Sequence, residues 1–212
     1  GAPYAEAIRG PIPASEPFRT QSGHERQEGT IMTTVLIVVA VVVVVGVLLY
    51  NSLIQRRNRV DNAWSQIDVQ LKRRLDLIPN LVETVKGYAA HEQSTFDAVI
   101  KARQAAISAP STPAAQAGAD TAVTGALRQL FALSEAYPDL KANQNFLALQ
   151  EELTATEGRV AYARQFYNDE VLGLNNAIQK VPGVFIARIA GISAREYFSA
   201  EPEAQDPPKV KF

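Results

Sequence analysis

The stretch VLIVVAVVVVVGVLLYNSLI, residues 35–54, decides the fold of this chain. It contains no acidic or basic residue and is apolar almost throughout. A helix needs about 20 apolar residues to cross a hydrocarbon core of about 30 Å, and the stretch has that length. Its many valines favour a strand in water, but a single strand cannot satisfy its backbone hydrogen bonds in lipid. We therefore predict a transmembrane helix over residues 32–54.

The charges on either side of this stretch favour an anchor over the alternative, a cleaved signal peptide. A signal peptide carries bases before its apolar part and a small-residue cleavage site after it. Here the nearest upstream base is Arg26, whereas Arg56, Arg57 and Arg59 follow directly. Because bases collect on the cytoplasmic side of a membrane, we predict a single-pass protein of the cell membrane with a cytoplasmic C-terminal domain. The three arginines either signal topology alone or also bind anionic lipid headgroups.

The two ends of the chain lack the apolar pattern of a folded segment. Residues 1–31 contain four prolines and no apolar period, which is typical of disorder. Met32 is the only methionine, so we expect translation to start there and residues 1–31 to be a non-native extension. The alternative is a native disordered arm. Residues 200–212 contain three further prolines and are expected to form an extended tail.

Beyond the apolar stretch, apolar residues recur at helical spacing. Trp64, Leu71, Ile78 and Val85 are seven residues apart, which is the pattern of a helix buried on one face. No turn signal separates this ladder from the apolar stretch, so the transmembrane helix is expected to continue into the soluble domain. Pro79 lacks a backbone N–H and is predicted to kink the helix.

Three further helical patterns follow, over 92–107, 120–136 and 146–178, with proline-containing breaks at 108–113 and 137–139. The last is the longest, and Asn143 is a candidate N-cap for it. A short apolar run, 184–192, is either a helix on the end of the bundle or a segment at the membrane surface. The fold class is therefore all-α. Residues 55–199 are predicted to form one elongated antiparallel, coiled-coil-like bundle of about four long helices.

Four polar residues lie beside the apolar ladders, and two interpretations of them remain open. They are either exposed to water or form interhelical hydrogen bonds that set the register of the bundle. The four residues are Asn62, Asp68, Arg164 and Asn168.

The composition argues against an enzyme. Lys and Arg total 21 against 22 Asp and Glu, so the net charge of −1 argues against a nucleic-acid partner. The chain has no cysteine and two histidines, which leaves little for metal or acid–base chemistry. It also has no glycine-rich phosphate loop and no nucleophile elbow. We predict no catalytic, cofactor-binding or metal-binding residue.

Several strings together resemble the LemA family. They are RNRVDNAWSQIDVQLKRR at 57–74, DLIPNLVETVKGY at 76–88, YPDLKAN at 137–143 and PKVKF at 208–212. The resemblance covers about residues 32–212, and a collinear match of this length is far more specific than a short motif. It implies a bacterial single-pass membrane protein with a bundle of long helices and no established activity or cofactor. The MamQ-like, magnetosome-forming branch of the family implies a role in membrane shaping.

These observations together favour a non-enzymatic protein that scaffolds or self-associates at the bilayer. The expected partners are the lipid bilayer and further copies of the chain, because tethering to a membrane raises the effective concentration for lateral assembly. The alternative is a regulatory adaptor that binds a membrane enzyme or sensor.

Overall fold

The computed structural model describes residues 22–199, and their side chains from residue 29 onward. Within this range the chain forms six helices and no strand, so the all-α prediction is confirmed. Four helices are long, as predicted, and two are short. The helices are α1 Ser22–Lys86, α2 Gln93–Ser108, α3 Pro113–Ala136, α4 Pro138–Lys141, α5 Gln144–Gln179 and α6 Gly183–Ala190.

The start of α1 differs from the prediction. The helix begins at Ser22, ten residues before the predicted start at Met32, because extending a formed helix costs much less than nucleating one. The rest of the predicted N-terminal extension, residues 1–21, and the predicted C-terminal tail, residues 200–212, lie outside the described residues. At its other end α1 continues without interruption past Arg56 to Lys86, as the sequence predicts.

The chain divides into two compact units, Gly1–Val47 and Leu48–Phe212. In the described part of the first unit, the large apolar side chains are exposed, with Leu36 at 63% and Val42 at 64%. By length and composition, α1 is able to cross a membrane. Exposed valine and leucine side chains around a whole helix are the pattern of a surface that faces lipid.

The second unit has two apolar clusters. The first joins the 53–71 part of α1 to the 160–178 part of α5, together with Ala187, Ile192 and Phe198. The second joins the 78–85 part of α1 to α2, α3, α4 and the first turns of α5. In the helical pattern predicted over 146–178, ten residues step by threes and fours, and nine of them are buried, so that prediction is confirmed. They are Phe146, Leu153, Thr156, Val160, Ala163, Tyr167, Val171, Leu174 and Ile178, and Leu149 is partly buried.

Pro79 lies inside α1, and a side chain from another helix compensates for its missing N–H. In a regular helix the N–H of residue 79 would donate to the carbonyl oxygen of Leu75. Here the Nε of Arg103 on α2 donates to that oxygen at 2.9 Å. The helix assignment continues through Pro79 to Lys86, and the predicted kink stays a prediction.

Local signals explain the ends of the later helices. The helix α3 begins at Pro113, seven residues earlier than predicted, because proline suits the first turn, where an N–H has no partner within the helix. Asn143 caps α5 as predicted, since its Oδ1 accepts from the N–H of Phe146 at 2.9 Å. The helix α6 is terminated by Gly191, the residue after its last one, whose φ of 64° is left-handed. The N–H of Ile192 donates to the carbonyl of Ala187.

Candidate functional site

A buried ion pair lies between the two apolar clusters. Arg74 on α1 is 3% exposed, and its Nη1 donates to Oδ1 of Asp120 on α3 at 2.7 Å. Its Nη2 lies 3.7 Å from Oε2 of Glu157 on α5. Thr156, beside Glu157, is also buried, and its hydroxyl donates to the carbonyl of Glu152. The three long helices therefore meet in a polar layer made by Arg74, Asp120 and Glu157.

The polar layer favours one alignment of the three helices. A one-turn shift of α1 or α3 would separate Arg74 from Asp120 and leave a buried charge without a partner, which is strongly destabilising. A pair of this kind adds little net stability over an apolar pair, and register selection is its best attested use. The sequence-based interpretation assigned this role to other residues. Arg74 nevertheless stands seven residues after Ile67 and seven before Leu81, where this spacing would carry an apolar residue.

The extended segment after α6, residues 192–199, is held to α5 by two asparagines. The side-chain amide of Asn175 pairs with the backbone N–H and C=O of Arg195 at 2.9 and 3.0 Å. Asn168, seven residues earlier, pairs in the same way with Phe198 at 2.8 and 3.0 Å. Each amide thus replaces the strand partner that the extended backbone lacks. The sequence analysis gave Asn175 no role. Its position seven residues after Asn168, on the same face of the helix, is the pattern that could have indicated one.

Phe198 closes the first apolar cluster. Its ring is 6.2 Å from that of Trp64, and Trp64 is 5.4 Å from Tyr167. The guanidinium of Arg164 lies 4.8 Å from the centroid of Phe198, a cation–π contact. The Tyr167 hydroxyl donates to the carbonyl of Glu196 at 2.8 Å, and burial raises the pKa of this hydroxyl while Arg195 opposes the rise. The C-terminal segment is therefore part of the folded core.

An open groove of about 570 Å³ runs between α1 and α5 on the outside of the first cluster. Val69 and Tyr162 flank it and are 60% and 72% exposed. Its floor includes Ala155 and Gly158, and a Cβ placed on Gly158 would meet nothing within 4 Å. Gln70 also lines the groove, and its buried Oε1 accepts no hydrogen bond from the described residues. We call this feature the α1–α5 groove.

The four residues predicted to set the register fall into two groups, two that are exposed and two that contact the C-terminal segment. Asn62 and Asp68 are exposed. Arg164 contacts Phe198, and Asn168 bonds to the backbone of the same residue, so both reach the C-terminal segment. Within the described part of the chain, none of the four forms an interhelical hydrogen bond, and their register role stays a prediction.

The three predicted membrane-flanking arginines do not form one cluster of contacts. The Nη1 of Arg56 lies 3.4 Å from the position that a Cβ on Gly173 of α5 would occupy. Arg57 lies 3.9 Å from Asp61 one turn later, and Arg59 is exposed. Asp61, which the sequence did not single out, also accepts from Arg195 at 2.8 Å. This ion pair joins α1 to the C-terminal segment.

The far end of the bundle has a second polar group. The Tyr137 hydroxyl donates to Glu92 at 3.1 Å, and this hydrogen bond raises the pKa of Tyr137. The Nδ2 of Asn143 donates to the Tyr88 hydroxyl at 2.8 Å. These bonds join the segments that connect α1 with α2 and α3 with α5. Among residues 29–199, whose side chains the structure describes, no three His, Asp or Glu side chains lie close enough to hold a metal ion.

Comparison with known proteins places this architecture in a family. The model of the LemA family matches residues 63–212. The chain is 26% identical to magnetosome protein MamQ of Magnetospirillum gryphiswaldense over 186 residues, which cover 76% of this chain and 68% of that protein. It is 27% identical to MamQ 2 of Paramagnetospirillum magneticum over the same shares. With LemA of Metamycoplasma hominis it shares 26% identity over 131 residues, which cover 60% of this chain and 58% of that protein. The family and these relatives indicate a membrane-associated protein, and none of their names denotes an enzyme. The family match covers well over half of the chain, which therefore belongs to the LemA family.

Proposed function

We propose that this chain is a non-enzymatic membrane protein, anchored through the apolar part of α1, that self-associates to form a scaffold at the bilayer. The exposed apolar side chains of residues 35–47 support the anchor. The similarity to magnetosome proteins supports a contribution of the scaffold to membrane shaping. The bases that follow the apolar stretch support a cytoplasmic position of the bundle.

The α1–α5 groove is the observation that carries self-association. Its flanks expose two large side chains, Val69 and Tyr162, beside a floor of small residues. Small residues allow a second helix to approach closely, and exposed aromatic side chains are enriched in interfaces.

A second copy of this chain is the occupant that the observations favour. Anchored copies share one plane, so the same groove on two copies meets at high effective concentration. Around a twofold axis, the Tyr162 ring of one copy can lie over Gly158 of the other, where the groove is open. One surface then supplies both the projecting side chain and the cavity that receives it.

Crosslinking in membranes tests this proposal, because the chain has no cysteine of its own. A Tyr162→Cys variant is expected to form disulfide-linked dimers when the membranes are oxidised. The matched control is Ala132→Cys, an exposed position on α3 away from the groove, which is expected to stay monomeric. Equal crosslinking of the two variants would overturn the groove as the interface. A Tyr162→Cys crosslink to a different protein would support the adaptor alternative instead.

The orientation has a separate test. An Ile100→Cys variant carries its thiol on the exposed face of α2. In intact spheroplasts this thiol is expected to resist a membrane-impermeant maleimide and to react after lysis. Labelling before lysis would place the bundle outside the cytoplasm and contradict the orientation.

A further inference from the structure

The helix α6 is apolar on two opposite faces. Its inner face, with Ala187 buried and Ile186 and Ala190 partly buried, packs into the first apolar cluster. Its outer face exposes Phe185 at 59% and Ile189 at 85%. Arg188 is its only charged residue. Large apolar side chains exposed together on one helix face are typical of a surface that contacts either a protein partner or lipid.

The position of α6 within the second unit indicates which of these two cases applies. Leu53 and Ile54, the last apolar residues of the stretch that precedes Arg56, belong to the same cluster as the inner face of α6. If the stretch 35–54 lies in the hydrocarbon core, Ile54 lies at the border of that core. Arg56, two residues later, lies against Gly173 of α5, and Gly183 at the start of α6 lies against the Ala177 carbonyl of the same helix, so α6 then lies at the depth of the headgroups.

The charges around this end fit a lipid surface. Lys180, in the turn between α5 and α6, and Arg188, near the end of α6, are both exposed. Arg56 lies against Gly173 of α5. Bases beside exposed aromatic and aliphatic side chains are the combination that places a helix at the surface of an anionic membrane. Val181, in the turn that precedes α6, is a further large apolar residue and is 76% exposed.

We propose that α6 is a second membrane contact, in which its exposed side chains Phe185 and Ile189, together with Val181 of the preceding turn, insert into the headgroup layer. This contact would hold the bundle end against the bilayer at two points. The proposal goes beyond self-association, because it requires the anchor but no second copy.

The test uses the full chain in vesicles of phosphatidylethanolamine and phosphatidylglycerol. An environment-sensitive fluorophore is attached to Ile189→Cys, and bilayer quenchers report its contact with lipid. The matched control is Ile100→Cys, which also replaces an exposed isoleucine. It lies on α2, a helix whose buried residues belong to the other apolar cluster. The label at 189 is expected to shift to a shorter emission wavelength and to be quenched, whereas the label at 100 stays water-exposed. Equal, water-like emission from both would overturn the proposal.

Two further arms keep the result specific. In the Ile189→Cys background, Phe185→Gln is expected to lower the docked-to-undocked ratio about tenfold, since it removes most of a buried Phe contribution. The control Leu147→Gln changes another exposed apolar residue, on α5, and is expected to change nothing. The signal must also be independent of the protein-to-lipid ratio. A signal that grows with protein density would assign the α6 face to a second copy and overturn membrane docking without affecting the groove proposal.

Discussion

Replacing Arg103 by methionine tests how α1 tolerates a proline in its interior. The substitution keeps most of the length of the side chain and removes the Nε that donates to Leu75. The Leu75 carbonyl cannot recover its bond within the helix, because residue 79 is proline. It is therefore left without its partner at a partly buried site.

The expected loss of unfolding free energy is about 1.5 kcal/mol, the low end for a hydrogen bond with a charged donor, because the contact is only partly buried. For a chain of this size that loss lowers the midpoint of thermal unfolding by about 3–6 °C. Circular dichroism of the full chain in mild detergent measures it. The control Lys101→Met, an exposed base on the same helix, is expected to change the free energy by less than about 0.5 kcal/mol.

The same substitution in a Pro79→Ala background isolates the cause. Alanine at 79 restores an N–H that can donate to the Leu75 carbonyl, so Arg103→Met should then cost clearly less. A double-mutant cycle gives the coupling between the two sites, expected at about 1 kcal/mol. If Arg103→Met lowers the midpoint equally in both backgrounds, Arg103 does not substitute for the missing proline N–H, and the reasoning fails.

Three other substitutions give further predictions. Arg74→Met leaves buried Asp120 without its cation and should lower the unfolding free energy by about 3–5 kcal/mol, most of which is recovered when Asp120→Leu is added. The control Arg73→Met breaks an exposed pair and should lower it by at most about 1 kcal/mol. Equal losses for the two variants, measured by thermal unfolding, would contradict the polar layer. Asn175→Ala removes two hydrogen bonds to Arg195 and should speed proteolysis of the C-terminal segment, with an unchanged cleavage rate as the contrary result. Burial raises the pKa of Tyr167, so the folded state favours the neutral form of its hydroxyl. The resulting contribution to folding stability is fully present below the unfolded pKa of about 10 and is lost as the pH rises through the higher folded pKa. A Tyr167→Phe variant should show a smaller alkaline loss, and identical pH profiles would refute this contribution.

The features that could be predicted from the sequence depend on neighbours along the chain. The stepping of apolar residues from Phe146 to Ile178 needs only the period of a helix, and the span to Ile54 needs only length and polarity. The Asn143 cap is likewise a local signal. The existence of the helices, the presence of one helix long and apolar enough to cross a membrane, and most of the breaks could therefore be predicted from the sequence.

The polar contacts depend on which helix faces meet, which local patterns do not specify. Arg74 and Asp120 are 46 positions apart, and the helix that carries Asp120 could pack in several registers. The orphan carbonyl at Leu75 follows from Pro79, but its donor, Arg103, follows only from the packing of α2 on α1. The pairing of Asn168 with Phe198 requires the chain to fold back along α5 after Gly191.

Electron cryomicroscopy of the full chain reconstituted into lipid vesicles tests the central claim most directly. Self-association at the bilayer predicts clusters or arrays in which neighbouring copies touch through the α1–α5 groove, and Tyr162→Asp should disperse them. Well-separated single copies at high protein density, with no contact at the groove, would contradict the claim.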